Sequence, residues 1–161
     1  MFDNADQVKI FENSAYFQPG RYIVSINACK LITNGHNGDS FVVECKVLGA
    51  LSESPTAPVA GALAAHVWNA SGDKRDMARA TWFGFLCACF GVEQSAYDNA
   101  QWKQISEQVI EHGALNGKIQ YLECFNKPTR AGNPFTKHNW KGTPTAELMA
   151  EFGLNADGTA A

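Results

Sequence analysis

Apolar and polar residues alternate along residues 21–28 and 41–47, as they do in half-buried β-strands. The segment between them reads TNGHNGD, and Asn and Gly supply the positive φ angles that a tight hairpin turn needs. The two stretches therefore predict an antiparallel hairpin with one apolar face. On that face we expect Tyr22, Val24, Ile26 and Ala28 from the first strand and Phe41, Val43, Cys45 and Val47 from the second.

The next apolar segment, VAGALAAHVWN, is consistent with a third strand, although its alanines also suit a helix. As a strand, it places Leu63, Ala65 and Val67 on the inward face. His66 and Trp68 then lie on the opposite, outward face, where they are candidates for contact with a ligand.

The pattern changes to a helical period after the third strand. Asp73 and Asp76 stand where acidic residues favour a helix start, and Gly91 stands where a helix commonly ends. A second helix is predicted over about residues 98–112, with Gly113 as its stop. Two helices are therefore expected before the chain returns to β structure.

The segments KIQYLECF and PFTKHNW then predict a C-terminal hairpin. Their alternation decides which side chains share a face of the sheet. Residues expected to share a face are Ile119, Tyr121 and Phe125 in the first arm, Phe135 and Lys137 in the second, and, on the opposite side of the second arm, His138 and Trp140.

After this hairpin, TPTAELMAEFGL predicts a short helix with Thr143 as N-cap and Pro144 as its first residue. The last seven residues, NADGTAA, are expected to be frayed. Residues 143–161 carry three acidic side chains and no cation, and no strand is predicted there. We therefore expect this segment to be dispensable for folding and to compete with a polyanion for a basic groove.

Five strands with a helical insertion between the third and the fourth form the element order of an OB-fold, and other small barrels that begin with a hairpin fit as well. The sequence thus predicts a mainly β protein with a five-stranded OB-fold-like barrel. An N-terminal extension occupies residues 1–18, and the barrel occupies residues 19–142 with its helical insertion at about 73–113. A short helix and a frayed acidic tail occupy residues 143–161.

The composition fits one globular domain, since 45% of the 161 residues are hydrophobic and 18% are charged. No apolar run is long enough to cross a bilayer, and the N-terminal MFDNADQVKIFE lacks the features of a signal peptide. We therefore expect a soluble cytoplasmic protein.

The chain has five cysteines, which is an odd number. Two of them, Cys87 and Cys89, form a C-x-C pair on the first helix, and their side chains point in directions roughly 200° apart. This predicts free thiols, with neither a disulfide nor a bound metal.

Enzyme signatures are missing from the sequence. It contains no Walker A motif, no G-x-G-x-x-G after a strand, no H-E-x-x-H and no G-x-S-x-G. The four histidines, His36, His66, His112 and His138, show no metal-ligand spacing. The sequence therefore predicts a non-catalytic protein that has no cofactor.

Positive charge is concentrated around the C-terminal hairpin, although the whole chain carries −3. Residues 117–141 hold five cations and one anion, which gives a local charge of +4. Proteins that bind single strands combine cations for the phosphates with aromatic faces for the bases. The cations are Lys118, Lys127, Arg130, Lys137 and Lys141, and the anion is Glu123.

Aromatic residues interleave with these cations, and each can serve as a base-stacking platform or as part of the core. Both alternatives stay open for Phe135, whereas core packing is favoured for Tyr121. Arg130 has no packing role that the sequence reveals. The candidate nucleic-acid-binding residues are Lys118, Tyr121, Phe125, Lys127, Arg130, Phe135, Lys137, Trp140 and Lys141, with His66 and Trp68 as a second group.

Four segments, in this order, resemble a family of phage proteins: PGRY at the first strand, the helix WFGFLCACFGV, LNGK before the fourth strand, and AGNPFTKHNWKG at the fifth. Members of that family look like OB-fold single-stranded-DNA-binding proteins encoded near replication and recombination genes. The resemblance covers about residues 17–142. It implies that Gly117 and Lys118 begin the fourth strand and that Asn133, Phe135, Asn139 and Trp140 mark the fifth.

The resemblance implies a protein that coats single-stranded DNA during phage replication or recombination in the cytoplasm of the host cell. Its expected partners are single-stranded DNA and replication or recombination proteins of phage or host, and the oligomeric state stays open. The alternative is an OB-like protein–protein adaptor, either a recombination accessory or a virion-associated module. The acidic total charge and an exposed apolar helix with Leu148, Met149 and Phe152 would favour the adaptor.

Overall fold

The computed structural model describes residues 15–35, 38–127 and 135–161, without the side chains of residues 34, 35 and 135. One sheet contains six strands in the order β1-β4-β3-β2-β5-β6. β1 runs parallel to β4, and the other neighbouring strands are antiparallel. The strands are β1 (Ala15–Tyr16), β2 (Gly20–Gly35), β3 (Gly38–Leu51), β4 (Leu63–Asn69), β5 (Ile119–Lys127) and β6 (Phe135–Gly142). The chain is therefore mainly β, with one strand more than the five predicted.

The additional strand is β1, which lies inside the predicted N-terminal extension. Its two residues pair with Ala64 and Ala65 at the edge of the sheet. The alternation that predicts a strand needs at least four residues to become visible. A two-residue strand therefore gives no signal in the sequence.

Two helices lie between β4 and β5, as predicted: α1 (Arg75–Phe90) and α2 (Asn99–His112). Gly91 and Gly113 end them in the left-handed conformation, with φ of 67° and 66°. Asp98 begins α2 in a capping box with Gln101, since each side chain bonds the other residue's backbone N–H. None of the helical segments in the described ranges has both the length and the apolar composition that a bilayer crossing requires.

The last helix, α3 (Ala146–Glu151), begins two residues later than predicted. Thr145, rather than Thr143, is the N-cap, and its hydroxyl accepts a hydrogen bond from the backbone N–H of Leu148. Both threonines are good caps, so local propensity does not choose between them. With the helix starting after Thr145, Met149 packs with Ile23 of β2.

The sheet is curled into a half-barrel, because side chains of β4 and β6 meet although these strands are far apart in the strand order. The indole Nε1 of Trp140 on β6 donates to Nδ1 of His66 on β4 over 3.1 Å. The rings of His66 and His138 stack with their centroids 3.7 Å apart. The concave side of the curl encloses the main core, together with α1 and α2.

The predicted hairpin between the first two long strands is confirmed as β2 and β3. The apolar face predicted for β3 lies in the main core along its whole length. In β2 the alternation breaks at a bulge between Ile26 and Ala28, so Cys29 is buried in place of Ala28. His36, in the predicted turn, lies outside the described residues.

The predicted faces of β4 are wrong. His66 is only 6% exposed, and Trp68 packs against the main core and donates from Nε1 to the carbonyl of Ala78 on α1 over 3.2 Å. Ala65 and Val67 pack instead against a small cluster on the other face of the sheet. Both faces of this strand are covered, so the hydrophobic alternation could not separate inside from outside.

The C-terminal segment is packed against the convex side of the sheet, which contradicts the predicted frayed tail. Met149 on α3 and Leu154 are 2% and 7% exposed, and they form a second core with Ile23. Leu154 also forms a β-bridge with Ala160, which closes the last residues into a turn. The prediction that residues 143–161 are dispensable is therefore at odds with the packing.

The cysteines of the chain are free thiols, and only Cys87 has appreciable exposure. Burial raises the pKa of Cys29 and of Cys124 to about 12. These thiols stay protonated at neutral pH, so they act as small apolar side chains of the core.

Candidate nucleic-acid interface

The arms of the C-terminal hairpin, β5 and β6, present one face to solvent and one face to the main core. In the register, Phe125 lies opposite Lys137, and Lys127 lies opposite Phe135. Residues that face each other in an antiparallel pair point to the same side of the sheet. Phe125, Lys127, Lys137 and Lys141, which lie on the solvent side, form what we call the hairpin face.

Within the hairpin face, an aromatic ring and a cation lie side by side. Phe125 is 42% exposed, and Nζ of Lys137 lies 5.9 Å from the centroid of its ring. Lys127 is also exposed. The predicted site residue Arg130, the predicted Asn133 and the side chain of Phe135 lie outside the described residues.

One cation of the hairpin face is partly neutralised. Nζ of Lys141 lies 3.7 Å from a carboxylate oxygen of Glu123 on the neighbouring strand. The two side chains are 48% and 36% exposed, so water weakens this ion pair and the interaction is worth little. Lys127 and Lys137 thus provide the positive charge of the hairpin face that is least compensated.

Lys118 is not part of the hairpin face. Its Nζ donates to the carbonyl of Cys89 over 3.0 Å and lies 5.2 Å from the ring centroid of Phe90. These residues form the last turn of α1, where the helix dipole favours a cation. The structure therefore gives Lys118 a capping role at α1.

Tyr121 lies on the solvent side of β5, but α3 covers it. Its hydroxyl accepts a hydrogen bond from Nε of Arg21 over 2.7 Å, and its ring packs edge-on to Phe152. Nη2 of Arg21 also bonds Glu151 on α3 over 2.8 Å. The bonds to Tyr121 and then to Glu151 raise the pKa of the Arg21 guanidinium above its usual value. Core packing was favoured for Tyr121 from the sequence, and its partial burial in the second core agrees with this.

Arg21 is a residue of this region that the sequence analysis did not identify. It lies on β2, opposite Glu123 on β5, and so shares the convex side of the sheet with the hairpin face. Its position in the alternating pattern of β2 marks it as outward-facing. The pairing of β2 with β5, which joins residues about a hundred positions apart in sequence, is not visible in that pattern.

Trp140, His66 and Trp68 line the concave side and pack against the main core. The ring of Trp140 contacts Phe85 edge-on at 4.9 Å, and Trp68 stacks on Phe41 at 5.5 Å. His138 and Trp140 share a face of β6, as the alternation predicts. Their partners are protein side chains, so these rings are not open platforms for a base.

A cavity of about 710 Å³ lies between α1, α2 and the far end of the β2–β3 hairpin. Its walls include Trp82 and Phe83, and none of the described side chains of β5 or β6 belongs to its lining. Arg79 and Lys103 line it together with two glutamates, so its described charges balance. This cavity is therefore separate from the hairpin face and shows no preference for an anion.

Comparisons of the chain with known proteins found no matching family model and no matching curated protein.

Proposed function

We propose that this protein binds single-stranded DNA, without catalysis and largely without sequence preference, through the hairpin face. The observation that carries the proposal is the exposed ring of Phe125 with Nζ of Lys137 5.9 Å from its centroid, on a face that also holds Lys127 and Lys141. Cations that follow the backbone, next to an aromatic face on which a base can stack, are the two components of single-strand recognition.

The architecture supports the proposal as an OB-fold-like barrel with one added strand. Without β1, the sheet reads β4-β3-β2-β5-β6, the helices lie between β4 and β5, and the side chains of β4 and β6 meet across the gap. OB-folds are small, partly open five-stranded barrels that commonly bind oligonucleotides. Because one fold can host many unrelated functions, the hairpin face carries more weight than the architecture.

The chemistry of the hairpin face sets the character of the binding. Lys127 and Lys137 provide charge for phosphates, and each phosphate contact releases counterions from the strand. Phe125 provides a surface that accepts any base, because every base has a π-face. We therefore expect affinity that depends strongly on salt and weakly on sequence.

The double substitution Lys127→Ala and Lys137→Ala is expected to weaken binding to oligo-dT and to flatten its salt dependence. At roughly 0.7 per single-strand phosphate contact, the slope of log K against log salt should decrease by about 1.4. Fluorescence anisotropy across a salt series measures both quantities. The matched control is Lys74→Ala with Lys103→Ala, which removes two exposed lysines elsewhere on the surface. An equal loss in the control pair would show that only net charge matters.

The substitution Phe125→Ala is expected to weaken the same binding by about 1–3 kcal/mol without changing the salt slope, because stacking releases no counterions. Phe125→Leu keeps the apolar bulk and removes the π-face, so it should lose nearly as much affinity. Full affinity in both variants would contradict a stacking role for Phe125.

The adaptor alternative loses one of its two supports. Its apolar helix is α3, and Met149 on that helix is buried while Leu148 and Phe152 pack against the second core. The helix therefore does not offer an exposed apolar surface to a partner. Oligo-dT binding at low salt remains the experiment that separates DNA binding from an adaptor role.

A further inference from the structure

At the open edge of the curled sheet, side chains hold β4 and β6 together. Among residues 15–35, 38–127 and 135–161, no backbone hydrogen bond joins these two strands. The contact consists of the His66 and His138 rings, which stack at 3.7 Å with an angle of 8° between their planes, and of the hydrogen bond from Trp140 to His66. The ring of Phe17 packs edge-on against His138 at 6.0 Å.

The hydrogen bond from Trp140 requires the imidazole of His66 to be neutral. Nδ1 of His66 accepts from the indole Nε1 of Trp140, so that nitrogen carries no proton. His138 is bonded to the backbone of Thr136, and its buried Nε2 has no partner among the described residues. A proton added to Nδ1 of His66 would face the indole N–H, and a proton added to Nε2 of His138 would be buried without an acceptor.

The surroundings compensate a positive charge only in part, because burial lowers the pKa of His138 by more than the hydrogen bond to the backbone of Thr136 raises it. Burial lowers the pKa of His138 to about 4 and the pKa of His66 well below its usual value, and the nearby His138 lowers the pKa of His66 further. Among the ionisable residues of the main core, Cys124 lies opposite His138 on β5, and Cys45 and Tyr22 lie on β3 and β2; burial raises the pKa of each. These three groups therefore stay uncharged from pH 4 to pH 7 and offer no counter-charge.

We propose that the stacked pair of His66 and His138 is an acid-sensitive clasp. At neutral pH it holds β6 against β4 and closes the curled sheet. Protonation of either ring breaks the contacts of that ring with its neighbours and releases this edge, and two protonated rings would also repel each other at stacking distance.

The direction of the effect follows from proton linkage. The folded protein holds His138 at a pKa of about 4, against an ordinary value of 6.5, so the unfolded chain binds a proton more readily. The stabilisation by the neutral ring is complete above pH 6.5 and is lost as the pH falls towards 4. For His138 alone, the equilibrium constant of unfolding should be roughly 30-fold larger at pH 5 than at pH 8.

Denaturant unfolding of the full chain at pH 5 and pH 8 tests the clasp. The variant His138→Phe keeps a ring in the stack and removes the titrating group, so the ratio of its unfolding constants at the two pH values should be roughly 30-fold smaller than in the wild type. The control is His112→Gln, which replaces an exposed histidine at the end of α2 and should keep the wild-type ratio. A wild-type ratio in His138→Phe would overturn the proposal.

Hydrogen exchange of the wild-type protein gives a second test, which does not depend on the folding of a variant. After correction for the intrinsic pH dependence of exchange, amides of β4 and β6 near the two histidines should lose protection at pH 5, while α2 keeps its protection. Unchanged protection at this edge, or an equal loss throughout the chain, would overturn the idea of a local release.

Discussion

Deletion of residues 144–161 is expected to lower the melting temperature by roughly 10 °C or more. Met149 and Leu154 would leave the second core, and Ile23 on β2, which is fully buried, would become exposed. Truncation of one buried Met to Ala typically costs about 2–5 kcal/mol, and each kcal/mol shifts the melting temperature of a domain of this size by roughly 2–4 °C.

The deletion keeps Thr143, because this residue contacts β5 of the sheet. The hydroxyl of Thr143 lies 3.5 Å from the side-chain amide of the buried Gln120, so the deletion begins after it. Differential scanning calorimetry measures the melting temperature. Met149→Ala should reproduce a large part of the loss, whereas Glu147→Ala, an exposed position on the same helix, should change little. A truncated protein that melts with the wild type would restore the prediction of a dispensable tail.

Replacement of Trp82 by Ala is expected to destabilise the protein by about 3–5 kcal/mol. Trp82 on α1 is 3% exposed, and its ring stacks on Phe41 with centroids 4.9 Å apart. Its Nε1 donates to the hydroxyl of Ser106 on α2 over 2.9 Å. The side chain therefore joins both helices to the concave side of the sheet, and its loss would enlarge the cavity that already lies between them.

Urea unfolding of two further variants tells packing from hydrogen bonding. Trp82→Phe keeps an aromatic ring in the stack and loses only the bond to Ser106, whose hydroxyl still donates to the carbonyl of Trp102. We expect this change to cost less than half as much as Trp82→Ala. Met77→Ala, at a position that is 73% exposed on the same helix, is the matched control for α1. A similar cost for Met77→Ala and Trp82→Ala would contradict the central role of the indole.

The sequence places correctly only those candidate residues whose position depends on local alternation. Phe125 and Lys137 were identified as candidates, and the structure places them together on the hairpin face. Lys118 was grouped with them because it is close in sequence, yet it bonds the end of α1. Arg21 was missed, because its neighbours Tyr121 and Glu151 lie 100 and 130 positions away along the chain.

The sequence alone determined the order of the long strands and of α1 and α2, together with the C-terminal ends of both helices and the start of α2. These features depend on interactions within a few residues, such as the capping box at Asp98 and the left-handed glycines Gly91 and Gly113. Hydrophobic alternation likewise reports which residues share a face, and it was correct for His138 and Trp140 on β6.

Only the tertiary structure decided which of the two faces is buried and what covers it. The partner of His66 is 72 positions away on β6, and Ile23 is buried by α3 from the other end of the chain. A period of two separates the faces of a strand, but the burial of each face depends on elements that pack on it from distant parts of the sequence. For this reason the inward orientation of His66, the position of Lys118 and the packing of the C-terminal segment became visible only in the folded chain.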